Sequence, residues 1–401
     1  MKHIEEIFYD SNDYSAERKD IPMKRKSIIV GSGIVGASTA YYLAKNNCDV
    51  TIIDREDKGQ ATDAAAGIVC PWLSQRRNKA WYELVKAGAR MYPYLVKSLA
   101  TDGLPDTGYQ QVGALHLHQD EKKLIAMKER AEKRKIDAPE IGEVELLSPK
   151  QTQSRFPLLD DTYGSVYVSG AARVNGRKLR DALLQAAQKH GAKRIKGTAV
   201  LQNAGQTITG VTLHDGREVK ANTVIAATGA WMSELLKPLG VAFQVEAQRA
   251  QILHVKLENM DEDLSTLPVV KPPNNQYMLT FPNNRIVLGA TYENKVGYDC
   301  RITVGGMQEI ITKALEFAPR LAEATVVEAR VGFRPVTPEF LPVIGPLPGF
   351  QGVLLANGLG STGLTMGPFI GSQLAKLAMS EPTDIDLHPY DVRTAITNAK
   401  L

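Results

Sequence analysis

Apolar residues change their spacing several times along the chain, and each change predicts a different element. At 27–30, Ser-Ile-Ile-Val is a short β-branched run of the kind that forms a buried strand. At 37–47, Ala40, Leu43 and Ala44 recur at helical spacing. DVTII at 49–53 is a second strand, ending at Asp54. The order is therefore strand, turn, helix, strand. Further on, the pattern predicts a long helix at about 78–101, a strand in GALHLH (113–118) and an amphipathic charged helix at 123–135. A capped short helix fits 148–159, ending before Pro157. A helix at about 177–190 ends at Gly191, and Asp215-Gly216 makes a hairpin turn. After Trp231 the strands AQILHVK, QYMLTFP and RIVLGAT follow one another. The last stretch reads as strand, loop, strand, Gly-rich loop and a helix at about 368–379.

Composition narrows the function classes. The 401 residues are 43% hydrophobic, enough for a large core and two domains. The net charge of +4 is small, and no dense basic run with interleaved aromatics points to nucleic acid. Cys48, Cys70 and Cys300 are far apart, which disfavours a zinc site and fits a reducing, cytoplasmic compartment. Residues 1–23 are polar and lack a signal-peptide run, so they are expected to be an extension preceding the folded part. No run of about 18 apolar residues predicts a membrane span, although peripheral association is compatible with the sequence.

Four motifs carry candidate chemistry. The first is Gly31-Ser32-Gly33-Ile34-Val35-Gly36. Gly31 allows the tight turn, Gly33 lets backbone approach a pyrophosphate, and Gly36 lets the helix pack on the strand. The helix N-terminus then offers free N–H groups to the phosphates. Asp54, followed by Arg55, stands at the end of the second strand, where a carboxylate can accept from a ribose hydroxyl. A bare glycine motif is weak evidence, but this context makes a dinucleotide the favoured ligand. The acid disfavours NADP and leaves NAD and FAD. The second motif, VIAATGAW (224–231), brings Thr228 and Gly229 to a strand end. Taken alone it is an ordinary turn. The third is Gly332-Phe-Arg334-Pro335, whose guanidinium fork matches a carboxylate. Without context it is a surface arginine. The fourth is the late loop Gly358 to Gly367, which opens a helix. A nicotinamide enzyme has no general need for it, whereas a flavin ring with polar edges does.

In this order the motifs resemble the FAD-dependent amine and amino-acid oxidoreductases: D-amino-acid oxidase, glycine oxidase, sarcosine oxidase and the D-amino-acid dehydrogenases. The resemblance covers about 24–382 and rests on IIVGSGIVGASTAYYLA, AAGIV, VIAATGAW, VGFRPVTPEFLPVIGPLPG and NGLGSTGLTMGP. It implies a Rossmann-like α/β domain that binds FAD and an antiparallel-sheet substrate domain, interleaved in sequence. The expected division is 24–110, 165–235 and 325–401 for FAD, and 111–164 and 236–324 for substrate. The glycine turn would hold the pyrophosphate, with Asp54 at the ribose; many relatives have Glu there. Ala65, Ala66, Gly67 and Ile68 would line the flavin, and Val200 would meet the adenine. Thr228 and Gly229 would lie by the cofactor. Gly358, Gly360, Ser361, Thr362, Gly363, Leu364 and Thr365 would bind the ring edge. Arg334 would clamp the substrate carboxylate and Tyr277 would help to seal the substrate. The cysteine that sarcosine oxidases use for covalent flavin is absent from VTPEFLPVIG, so FAD is expected to be non-covalent. Asn357 stands where relatives often have His, which leaves substrate preference open.

These residues imply oxidative deamination of glycine or a D-amino acid to a 2-oxo acid and ammonia. Arg334 would orient Cα–H toward flavin N5, and alignment rather than a side-chain base would do most of the work. A 2-hydroxy acid or a secondary amine fits the same scaffold. An NAD-dependent dehydrogenase and a non-catalytic FAD-binding subunit are the rivals from other classes. The electron acceptor, O2 or a quinone-like molecule, and the state of oligomerisation, a homo-oligomer included, stay open at this point.

Overall fold

The computed structural model describes residues 24–258 and 263–397. The expected extension at 1–23 lies outside the described residues. The first strand, β1 (Lys26–Val30), is buried over four of its five residues because Ile28, Ile29 and Val30 have apolar neighbours on both faces. It pairs in parallel with β2 (Asp49–Asp54) on one side and with Thr223–Ala226 on the other. Between β1 and β2 runs helix α1 (Ile34–Lys45). The sheet is completed by Lys193–Lys196 at the β2 edge and by Val353–Asn357 and Val343–Pro346 at the other. Strand order reverses about β1, with β2 on one side and the later Thr223–Ala226 on the other, so the crevice beyond the carboxyl ends of these parallel strands is the site such a sheet offers a ligand.

Helix α1 is clasped by the helices Gly176–Lys189 and Gly363–Met379. The approach is close because the last helix lacks side chains where it crosses. A Cβ on Gly371 would lie 2.5 Å from that of Ser38.

The second sheet has eight strands and is largely antiparallel. In spatial order they are Thr325–Val336, Glu246–Lys256, Arg285–Gly289, Tyr277–Phe281, Val269–Lys271, Ala114–His118, Gly164–Val168 and Val144–Leu147. One face packs on Phe156, Ile310 and Phe317 in a separate apolar cluster. The α/β class expected from the sequence is the fold observed. Two segments differ in place. Gly164–Val168 and Thr325–Val336 were expected with the cofactor sheet but are strands of the eight-stranded one. Gly164–Val168 lies between Val144–Leu147 and the more distant Ala114–His118, and Thr325–Val336 pairs with Glu246–Lys256, remote in sequence, so composition gave no sign of the long-range pairings.

Most predicted elements agree within a residue or two. The last helix does not: it begins at Gly363 rather than 368. Proline is well suited to a first helical position and is poorly tolerated in the interior. In the fold Pro368 is internal, and the Leu364 carbonyl loses its usual N–H partner. The Tyr92 hydroxyl donates to that carbonyl and replaces it.

Candidate active site

A cavity of about 700 Å³ begins at the carboxyl ends of β1 and β2 and runs to the face of the eight-stranded sheet. At its start the glycine turn is held by a carboxylate. Asp54 Oδ2 accepts from the backbone N–H and the hydroxyl of Ser32, and Oδ1 accepts from Glu56 N–H and Gln60 Nε2. Those four bonds match the acceptor capacity of a carboxylate. The sequence led us to expect a carboxylate free for a ribose hydroxyl; here it is already engaged in shaping the turn. Gly31, Gly33, Ile34 and Val35 line the cavity. Ser32 and Gly36 do not. Gly36 is required by packing, since a Cβ there would lie 1.9 Å from the Gly31 carbonyl oxygen. Arg55 lines the cavity but is occupied: it donates to Glu234 and to Asp57, and the Glu234 carboxylate raises its basicity. Val200 lines the same end beside Gly197 and Thr198, partly exposed at 46%.

In the middle of the cavity are Ala65, Ala66, Gly67, Ile68, Thr228 and Gly229, with Gly360, Ser361, Thr362, Gly363, Leu364 and Thr365. Long sequence separations are bridged by single hydrogen bonds. Thr365 Oγ1 donates to the Ile68 carbonyl at 3.0 Å. Buried Asn357 donates through Nδ2 to the Gly229 carbonyl at 2.8 Å and accepts from Gly358 N–H at 2.8 Å. Gly358 itself does not line the cavity; at φ +80° its missing Cβ makes room for Thr337. Residues 363–365 belong to the first turn of the last helix rather than to a loop.

At the far end Arg334 is 9% exposed. Its Nη1 reaches only neutral acceptors, Gln248 Oε1 at 3.3 Å and the Thr291 carbonyl at 3.4 Å, and its guanidinium lies 4.3 Å from the Tyr292 ring centre. Among the described residues no carboxylate pairs with it. Tyr277 lines the same end. Burial raises its hydroxyl pKa well above the usual phenol range, and the Arg334 charge opposes that rise.

A family model described as FAD dependent oxidoreductase matches residues 26–377. The chain belongs to that family. It is 57% identical over 370 residues to the oxidoreductase YurR of Bacillus subtilis, an alignment covering 92% of this chain and 99% of the relative. It is 30% identical to a glycine oxidase of Pseudomonas aeruginosa, over 92% and 98%. Among solved structures, the iminodiacetate oxidase IdaA of Chelativorans sp. BNC1 superposes with a TM-score of 0.88 at 39% identity, covering 91% of this chain and 98% of that one.

FAD is the cofactor of this family, and the cavity suits it. Helix α1 and the helix Gly363–Met379 both begin at the cavity without a side-chain cap at their N-cap residues, Gly33 and Thr362. Ile34 N–H donates to Thr62 Oγ1 at 3.0 Å, while the helix dipoles still favour a phosphate or a polar ring edge at these termini. Gly229 and Gly360 line the cavity at positive φ, and a Cβ on either would meet nothing within 4 Å.

Several lining residues escaped sequence reasoning. Arg76 donates to the Phe340 carbonyl and lies 4.8 Å from the Trp81 ring centre. Lys271 and Tyr292 line the cavity together with Arg334 and Tyr277. Cys70 lines the wall with its sulfur 3.5 Å from His116 Nε2; burial pushes this thiol up to about 12 and the imidazole down to about 3. The only signal in sequence for Lys271 was a charge ending the apolar run VVK.

Proposed function

We propose that this family member oxidises a small amine bearing a carboxylate, glycine or a D-amino acid being the simplest case. The observation that carries the reading is Arg334: a buried guanidinium, without a carboxylate partner among the described residues, on the wall of the cofactor cavity. A buried cation of that kind favours an anionic ligand, and its fork suits a carboxylate.

The glycine turn 31–36 would hold the FAD pyrophosphate, with Asp54 acting through the turn. Residues 65–68, 228–229 and 360–365 would surround the flavin. Arg334 would fix one end of the substrate, and Tyr277 would close the space beside it. FAD bound there supplies two-electron oxidation of the substrate. The amine leaves as an imine after loss of two electrons and two protons, and water then releases the 2-oxo acid and ammonia. Tight positioning in a dry cavity is the contribution this chain makes to the rate.

A secondary amine is the second reading, favoured by 39% identity with a protein described as iminodiacetate oxidase. Cys70 is the cysteine nearest to hand in the cavity lining, and its protonated thiol next to His116 supports non-covalent FAD. Acid precipitation should therefore leave the flavin in the supernatant. Anaerobic mixing with glycine, D-alanine, sarcosine, iminodiacetate and a 2-hydroxy acid should bleach the flavin with amines and not with the hydroxy acid. Bleaching by none of them would refute the reading. Reoxidation by air against a quinone analogue identifies the acceptor.

A further inference from the structure

Beside Arg334 and Tyr277 the cavity is lined by a lysine, Lys271, that has no carboxylate partner among the described residues. Lys271 ends the strand Val269–Lys271, and Tyr277 begins the strand Tyr277–Phe281. Val270 and Met278 are antiparallel partners, which sets Lys271 directly opposite Tyr277 and on the same face. Both line the cavity, as does Arg334, whose charge acts on the Tyr277 hydroxyl. The two cations therefore flank one tyrosine.

Among the described residues no carboxylate pairs with either. The acidic residues lining the cavity are Asp54, Asp57 and Glu234. All three belong to the nucleotide end, where Ser32, Gln60 and Arg55 engage them. The Lys271 side chain makes no hydrogen bond or ion pair among the described residues. The groups acting on it are burial, which lowers its basicity, and Cys70. Cys70 and the adjacent His116 are both neutral across the physiological range. Arg76, by contrast, is engaged by a carbonyl and an indole ring. An ammonium held in such a place without a counter-charge is unfavourable, and an anionic ligand group removes that penalty.

We propose that Lys271 binds a second carboxylate of the substrate, so that this enzyme selects dicarboxylic amines. Arg334 takes one carboxylate and Lys271 the other, with the amine between them. This rests on the reading of the cavity given under Proposed function. Discrimination follows from the same physics: a monocarboxylate leaves the ammonium unanswered, and a site built for a polar group rejects a ligand lacking it.

The test compares matched pairs on the FAD-loaded enzyme: iminodiacetate with sarcosine, and D-aspartate with D-alanine. The dicarboxylate of whichever pair is oxidised should have a kcat/KM at least about 10-fold higher, and Lys271→Met should lower that value by about 100-fold, within the range for truncating one partner of a buried charged pair. The loss on the monocarboxylate should be at least about 10-fold smaller than that on the dicarboxylate, and Lys271→Arg should keep most of the preference. Succinate, which cannot be oxidised here, should perturb the flavin spectrum more tightly than acetate, and more weakly in Lys271→Met. Should the Met variant lose its flavin, the wild-type ratios and the succinate–acetate comparison decide the matter. Equal use of both members of a pair, equal losses on both in Lys271→Met, or an effect confined to reoxidation by oxygen would each overturn the proposal. Bleaching by monocarboxylates alone sinks only the proposal. No bleaching by any amine sinks the broader reading instead, while succinate binding still reports on Lys271.

Discussion

The two ends of the cavity treat charge in opposite ways. At the nucleotide end every charged side chain is matched within the chain: Asp54 accepts four hydrogen bonds, and Arg55 is shared by Asp57 and Glu234. At the substrate end Arg334 touches only neutral oxygens and Lys271 has no partner among the described residues. On the proposed reading, the difference follows from what each end would recognise. A pyrophosphate is met by backbone N–H groups, so side chains there serve to hold backbone in shape. A small substrate has few atoms, and a specific charge must be kept ready for it.

The largest effect should separate the two ends outright. Arg334→Ala should lower kcat/KM by about 2–5 kcal/mol while the protein stays yellow, checked by steady-state kinetics and flavin content. Loss of flavin with intact turnover per flavin would mean that Arg334 serves the cofactor. Asp54→Asn should do the reverse. It turns one acceptor into a donor facing Ser32 or Gln60, and should weaken FAD binding by about 1–3 kcal/mol with KM little changed, measured by titrating apoprotein with FAD.

Acid should find the buried imidazoles rather than the paired carboxylates. His116 and His254 are each pushed down to about 3 by burial, so they are neutral in the fold but bind protons in the unfolded chain below about pH 6.5. Stability is then full above that pH and falls as pH drops toward 3, by about 2 kcal/mol per histidine at pH 5. Melting temperatures across pH 7 to 5 test this, and His116→Gln should flatten part of the slope. The smallest effect concerns Tyr92. Tyr92→Phe leaves the Leu364 carbonyl unpaired next to Pro368 and should cost about 1 kcal/mol by chemical denaturation, with substrate specificity unchanged.

How much could be read beforehand depended on distance along the chain. The β1–α1–β2 unit was legible because its turn, helix and strands lie within about thirty residues and each has a local signature. The late glycine segment was legible as a motif but not as a helix start, since the donor that rescues Pro368 comes from Tyr92, far upstream. Asp54 was recognised as a site residue, yet its partners were not, because four donors converge on it only after the turn has formed.

Local pattern was enough to name the fold class and the glycine turn after the first strand, and to single out Arg334 as a candidate, since backbone propensity and glycine conformation act over a few residues. Which charges remain unmatched was settled by packing. Lys271, Tyr277 and Arg334 come together only because three separate strands enter one sheet, and long-range strand register leaves no mark on the residues nearby.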